Sequence, residues 1–288
     1  MTKAQELGKL NLDDPINKHS PFEVCNPHFP YEQITIRQLA THTSSIKDPS
    51  SYEKNGYILK EVENKEAKVN SNFRSHSKKM VLNEFLKNIL SEDGKWHKKN
   101  NFLKTKPGAI FEYSNVAAGL AALVIEKATN QSFNEFTNEH ILTPLGMSNS
   151  GWSFTEVDFS KHSKLYKDKE TELAFYQSVN YPDGGLITTS NDLGKYFTEL
   201  IAGNNGNVSI LIKQSDRELI RPQLTDKNYN ERNESAYNDE YNMGVFIGIS
   251  AQGQIGHTGG DPGVATNMFF NTETKMRKLL IVNTYLKK

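Results

Sequence analysis

The sequence predicts an α+β fold, and three observations carry that prediction. Residues up to about 205 hold amphipathic or wholly apolar helical patterns, residues from about 240 hold short strand patterns, and the two do not alternate. Strands joined by short turns imply an antiparallel meander, which segregates from the helices instead of threading between them. The reading is a single domain, 1–288, with a helical lobe at about 30–205 and a sheet lobe at about 240–288. Ligand sites tend to lie between such lobes.

Each element follows from local pattern. In MTKAQELG (1–8), Met1, Ala4 and Leu7 recur at helical spacing and Gly8 ends the helix. ITIRQLATHTSSI (34–46) reads as a short helix leading to a polar tip, and nothing in it demands catalysis. Residues 48–79 are polar and read as a long surface excursion, partly helical. KMVLNEFLKNIL (79–90) has apolar pairs at 81/82, 85/86 and 89/90, an amphipathic helix. KWHKKNNFLKTK (95–106) is basic and reads as a solvated loop. SNVAAGLAALVIEKATN (114–130) is apolar nearly all round and should be buried. SFNEFTNEHILTPLGM (132–147) opens with Ser132 and Glu135 at capping-box spacing, and Pro144 bounds it. TTSNDLGKYFTELIAGN (188–204) puts Leu193, Tyr196, Phe197, Leu200 and Ile201 on one face, with Gly203 expected past its end. Segments 241–250, 254–258, 265–271 and 277–285 are strand-like.

Composition narrows the function. Lys and Arg number 34, as do Asp and Glu, so bulk charge points to neither nucleic acid nor a charged membrane as partner. Cys25 is the only cysteine, so no intrachain disulfide forms. The longest apolar run, 116–125, is far short of the roughly 20 residues that span a bilayer. Eight histidines give no HExxH, and Cys25-x-x-His28 has no second pair, so neither a metal nor another cofactor is expected. Phosphate-binding glycine loops are absent too.

Two stretches could carry chemistry. In PGAIFEYSN (107–115), Tyr113 and Asn115 point the same way if extended, beside the positive end of a buried helix. There Tyr113 could serve as a general base, or it could simply pack while Asn115 caps the helix. In GHTGGDPGVA (256–265), His257 and Gly259 lie two apart on a strand whose backbone N–H groups could bind an oxyanion. The alternative is a glycine-rich hairpin with a chance histidine.

Together these stretches resemble the beta-lactamase and penicillin-binding family of serine hydrolases, in its class C-like branch of esterases and D-amino-acid peptidases. GKLNLDDPI, ITIRQLATHTSSI, PGAIFEYSN, YPDGGLITTSNDLGKYF and GHTGG are similar to family landmarks and fall in the family's order from about residue 6 to about 284. The family signature is Ser-x-x-Lys with a Ser-Asp-Asn and a Lys-Thr-Gly element. This branch replaces the last two by Tyr-x-Asn and often His-x-Gly. The resemblance implies a transpeptidase-like helical lobe beside an antiparallel sheet flanked by helices. It implies Tyr113 as general base, alone or sharing that role with the lysine of Ser-x-x-Lys, Asn115 as holder of substrate and of that lysine, His257 lining the cleft, and Thr258, Gly259 and Gly260 at the substrate and oxyanion side. The implied partner is a small molecule or peptide with an ester, amide or lactam carbonyl. A periplasmic, membrane-anchored or extracellular location is implied as well.

The resemblance also yields an expectation about the ends. In the family, Ser-x-x-Lys begins the helix whose last turns are TKAQELG, so the nucleophile, its lysine and two sheet strands are expected to be missing here, as is a helix after YLKK. Ser-x-x-Lys occurs at Ser44–Lys47, Ser51–Lys54 and Ser75–Lys78, none at the start of a clear apolar helix. Three readings follow: a truncated acyl-transfer hydrolase, inactive alone; a pseudoenzyme that binds ligands; and a subunit whose partner supplies the serine. His257, with an ordinary value near ~6.5, is expected to change charge around neutral pH. That weakens fixed positive charge and favours esterase or peptidase activity over efficient beta-lactamase activity.

Overall fold

The structure is a computed structural model that describes residues 1–61, 72–207, 209–229, 241–250 and 252–284. Part of the 48–79 excursion and the YLKK end lie outside these residues. The elements are α1 (Thr2–Glu6), α2 (Ile36–Ala40), α3 (Ser50–Asn55), β1 (Tyr57–Leu59), β2 (Phe73–Arg74), α4 (Leu82–Leu90), α5 (Asn115–Thr129) and α6 (Phe133–Thr137). They continue with β3 (Leu165–Tyr166), β4 (Glu172–Leu173), β5 (Tyr176–Ser178), α7 (Ser190–Asn204), α8 (Lys213–Ile220), β6 (Asn242–Met243), β7 (Gly248–Ile249), β8 (Gln254–Asp261), β9 (Val264–Asn271) and β10 (Arg277–Val282).

Helix α5 is the axis of the helical lobe. From Val116 to Ile125 nearly every residue is buried, because α1, α2, α4 and α6 pack around it. Ser114 caps its start by accepting the Ala117 N–H at 3.0 Å, and Asn130 ends it in the left-handed region at φ 58°. The cap is therefore Ser114, and Asn115 is the first helical residue. Helix α4 starts at Leu82, with Val81 outside the core at 68% exposure. Ser132 and Glu135 form the capping box read from their spacing.

Gly119 in α5 is required by contact. A Cβ there would lie 1.7 Å from Asn180 Oδ1. Asn180 is fully buried and tied by its Nδ2 to the Asn115 carbonyl at 2.8 Å and to Asp183 at 2.6 Å. Gly119→Ala is expected to lose roughly 1–3 kcal/mol despite alanine's better helix propensity. A urea melt reads the loss, and a variant as stable as the parent would remove the contact's importance.

The sheet has the order β10-β9-β8-β7-β6, an antiparallel meander throughout. Ile255 and Phe270 on one face pack against Phe197, Leu200 and Ile201 of α7. Strand β8 runs beyond the expected 254–258 to Asp261, and the chain turns at Pro262 and Gly263 (φ 75°). Gly263 makes the reversal, so His257, Thr258, Gly259 and Gly260 all stay on the strand.

Other expectations change. The 48–79 stretch is more than surface: α3, β1 and β2 belong to it, and Tyr52, Ile58 and Phe73 are buried. β1 pairs with β2 and, across the chain, with β5. Clustering of Tyr57, Phe73 and Tyr176, at 4.6–6.0 Å between rings, holds this small sheet inside the helical lobe. Gly203 lies within α7, against Asp216 of α8. Helix α8 is buried only at Ser215 and Asp216 and gives little apolar periodicity to read.

Candidate active site

The helical wall of the cleft is built from residues 42–48 and 111–116. After α2, His42 adopts φ 54° and turns its ring inward, 2% exposed. Its Nδ1 accepts the Ser114 N–H at 3.2 Å, which puts the ring proton on Nε2. The ring lies 4.4 Å from that of Tyr113, tilted by 32°, with Phe111 and Phe246 edge-on at 6.2 and 5.6 Å. Burial, with a contribution from His257, pulls the His42 pKa down to about 3, so the imidazole is neutral at pH 7.

Asp48 sits under the start of α5. Its Oδ1 accepts the Ser114 hydroxyl at 2.8 Å and the Val116 N–H at 2.9 Å. Its Oδ2 accepts both the backbone N–H and the side-chain Nδ2 of Asn115, each at 2.9 Å. A carboxylate at this place satisfies the helix's unpaired N–H groups and meets its positive end.

Strand β8 forms the opposite wall. Its last β7 partner is Gly256, so residues 257–261 have an edge with no strand neighbour among the described residues. The His257 ring is 6.1 Å from the Tyr113 ring, so the structure brings these two together across the lobes. His257 Nδ1 donates to the Thr258 carbonyl, leaving Nε2 as acceptor. Burial lowers its pKa below 6.5, so the expected change of charge around neutral pH moves toward acid. Thr258, Gly259 and Gly260 are exposed. A Cβ at Gly259 would meet Thr266 Oγ1 at 2.4 Å, whereas nothing lies within 4 Å of one at Gly260. The space beside Gly260 is open, and the strand that carries it is paired along its length with β9.

Sequence reading missed a third group. Asp183 Oδ2 accepts the Tyr52 hydroxyl at 2.5 Å and Asn180 Nδ2 at 2.6 Å. Asp261 Oδ1 accepts the Tyr57 hydroxyl at 2.7 Å. Burial and then the neighbouring Asp261 push the Asp183 pKa up to about 8. Burial raises that of Asp261 as well. YPDGG names Asp183 as part of a landmark, but no local signal reveals its partners.

None of the three Ser-x-x-Lys matches starts a long apolar helix that presents both side chains to the cleft; only Ser51 and Lys54 share a helix, the six-residue α3. Ser44 is buried in an irregular stretch and its Oγ accepts the Ile46 N–H at 3.3 Å. Ser51 Oγ is buried in α3, while Lys54 is exposed. Ser75 precedes a single 3-10 turn, and both it and Lys78 are exposed. Among the described residues no group of three His, Cys, Asp or Glu could hold a metal, and no helix is long and apolar enough to cross a membrane.

Comparison with known proteins bears on the family and the fold. A family model described as Beta-lactamase matches residues 1–285. Protein flp of Staphylococcus aureus (strain MW2) is 28% identical over 222 residues, covering 75% of this chain and 39% of the relative. Penicillin-binding protein 4* of Bacillus subtilis (strain 168) is 25% identical over 282 residues, covering 92% of this chain and 53% of the relative. The chain thus spans about half or less of these relatives. Among solved structures, a penicillin binding protein from Bacillus halodurans superposes with TM-score 0.68 at 20% identity, covering 99% of this chain and 77% of that one. D-amino acid amidase from Ochrobactrum anthropi SV3, complexed with L-phenylalanine, gives 0.69 at 19%, covering 100% and 73%. Beta-lactamase/D-alanine carboxypeptidase from Yersinia pestis gives 0.68 at 19%, covering 100% and 75%. These structures share the fold.

Proposed function

Because this chain belongs to the beta-lactamase family, matched across residues 1–285, we propose that its cleft serves acyl transfer on an amide, ester or lactam carbonyl. The observation that carries the reading is Tyr113 facing His257, 6.1 Å apart, beside the 257–261 edge of β8, which has no strand neighbour among the described residues. A serine from a Ser-x-x-Lys helix would attack the carbonyl carbon while Tyr113 takes its proton. The carbonyl's electron pair would move onto oxygen and be held by backbone N–H groups that include Gly260. Collapse would expel the amine or alcohol, which recovers the proton, and water would then release the acyl group.

The protonation pattern refines this reading. At pH 7 neither His42 nor His257 supplies a cation to a Tyr113 phenolate. That task falls to the lysine of the Ser-x-x-Lys helix and to the N-terminus of α5. With a neutral imidazole opposite Tyr113, the cleft also offers a substrate carboxylate little fixed positive charge. Esters and amides, including those of D-amino acids, fit it better than beta-lactams do.

For the chain alone, the geometry of its three Ser-x-x-Lys matches favours binding without turnover. Incubation with a fluorescent penicillin and with p-nitrophenyl acetate, followed by intact-mass analysis, is expected to show no acyl adduct. A form joined to a Ser-x-x-Lys helix is expected to be acylated, and Tyr113→Phe to slow that at least a hundredfold. An adduct on Ser44, Ser51 or Ser75 would refute the assignment.

A further inference from the structure

We propose that Tyr57 and Tyr176 are specificity-determining residues: they shut the cleft at the Asp261 end of β8, so that its open edge takes a compact ligand and turns away a peptide extended along the strand. The inference rests on the cleft being the substrate site, as argued above. Along β8 only Thr258, Gly259 and Gly260 are exposed, and His257 and Asp261 on either side are half-buried. A window of three residues is ~10 Å long at the rise of an extended chain. The Tyr113 ring bounds it at His257, 6.1 Å away between ring centres.

The other boundary is built by the small sheet of the helical lobe. Tyr57 on β1 donates its hydroxyl to Asp261 Oδ1 at 2.7 Å, and Tyr176 on β5 donates its own to the Pro262 carbonyl at 2.9 Å. The helical lobe thus grips two consecutive residues directly after Gly260, and bonds this short leave no room for a ligand between the walls there. The grip is itself held in place. β1 and β5 are paired, with Leu59 opposite Tyr176, and the two tyrosine rings meet edge to face at 5.2 Å. Phe73 of β2 packs against both rings, at 6.0 and 4.6 Å. A peptide that pairs with a strand edge advances one residue for each strand residue it passes, so on β8 it meets this barrier after about three residues. The amide or ester of a single amino acid fits inside the window.

Three probes test this on the whole chain by calorimetric titration: D-phenylalanine amide, the same amide lengthened by four alanines on its amino side, and D-phenylalanyl-tetraalanine amide, lengthened on its carboxyl side. The parent is expected to bind the first at least tenfold more tightly than either long probe. In the double variant Tyr57→Phe, Tyr176→Phe the rings stay packed and only the two hydroxyls are lost. One of the long probes is expected to gain at least tenfold there, while D-phenylalanine amide binds within twofold of the parent. Tyr57→Ala, which removes the ring as well, is expected to widen that gain. Asp261→Asn keeps an acceptor for Tyr57 and is expected to keep the parent's discrimination. A merely structural grip would weaken all three probes alike. Equal changes for all three probes, no gain for a long probe in either tyrosine variant, or a parent that binds a long probe as tightly as the short one would overturn the proposal. If the parent binds no probe, the functional reading falls. Hydrogen exchange at the backbone N–H groups of Asp261 and Gly263 then decides the grip, which stands if the double variant exchanges at least tenfold faster than the parent and falls if the rates match.

Discussion

Asp183→Asn is expected to become more stable than the parent chain by roughly 4 kcal/mol as pH rises from 5 to 9. Asp183 loses its proton near 3.8 when unfolded but at about 8 when folded. Between these values the folded chain binds the extra proton, so the parent loses stability as pH climbs. Three pH units at about 1.4 kcal/mol each give the figure. Asparagine keeps the arrangement, because its Oδ1 can accept both the Tyr52 hydroxyl and Asn180 Nδ2. It removes only the titration. Burial, Asp261 and Asp48 disfavour a negative charge on Asp183, and they outweigh the hydrogen bonds from Tyr52 and Asn180 that favour it. Urea melts at pH 5, 7 and 9 decide the matter: parallel stability profiles for parent and variant would mean that Asp183 is ionised throughout.

His42→Asn carries the opposite sign. His42 titrates at about 3 when folded and at 6.5 when unfolded. Below pH 6.5 the unfolded chain binds the extra proton, so this residue's contribution is lost as pH falls toward 3. At pH 7 the variant is expected to be less stable than the parent, since it empties a site packed against Tyr113, Phe111 and Phe246. By pH 4.5 the gap should narrow by about 3 kcal/mol, two pH units of titration removed. Asparagine suits φ 54°, and its Oδ1 can accept the Ser114 N–H in place of Nδ1. A gap that stays constant with pH would show that the imidazole charges freely inside the fold. In the parent the two titrations oppose one another across the mildly acidic range, so its own profile there is flatter than either variant's.

Much of this molecule was legible in the sequence, and the rest was hidden for physical reasons. Helices α4, α5, α6 and α7 follow from 3.6-residue periodicity and caps, and the sheet meander follows from short strands and short turns. Tyr113, Asn115 and His257 stood out because motif spacing is local and survives as wording. Asp48, His42 and Asp183 did not. Each acts through partners far along the chain, and a lone aspartate in KDPSSY or a histidine in ATHTSS has no periodicity of its own. The β1–β2–β5 sheet was missed because its strands are two or three residues long and are held by aromatic contacts between distant segments. The positive φ at His42 is likewise invisible, since histidine is not the residue usually chosen for such a turn.

The side-chain hydrogen bonds of the two lobes also close loops of very different length. The Asp48–Asn115 pairing closes over 67 positions, whereas Tyr57–Asp261 closes over 204 and Arg37–Glu218 over 181. Threefold longer closure costs only about 1 kcal/mol in loop entropy, but contacts of great sequence separation slow the search for the native state. The helical wall can therefore take native shape while the strand wall is still undocked. Among the described residues the two apolar clusters share Leu219 alone, and the cleft lies where Tyr113 of the helical wall faces His257 of the strand wall. A ligand spanning it joins a unit that forms early to one that forms late, and so acts on the folded chain as a removable staple.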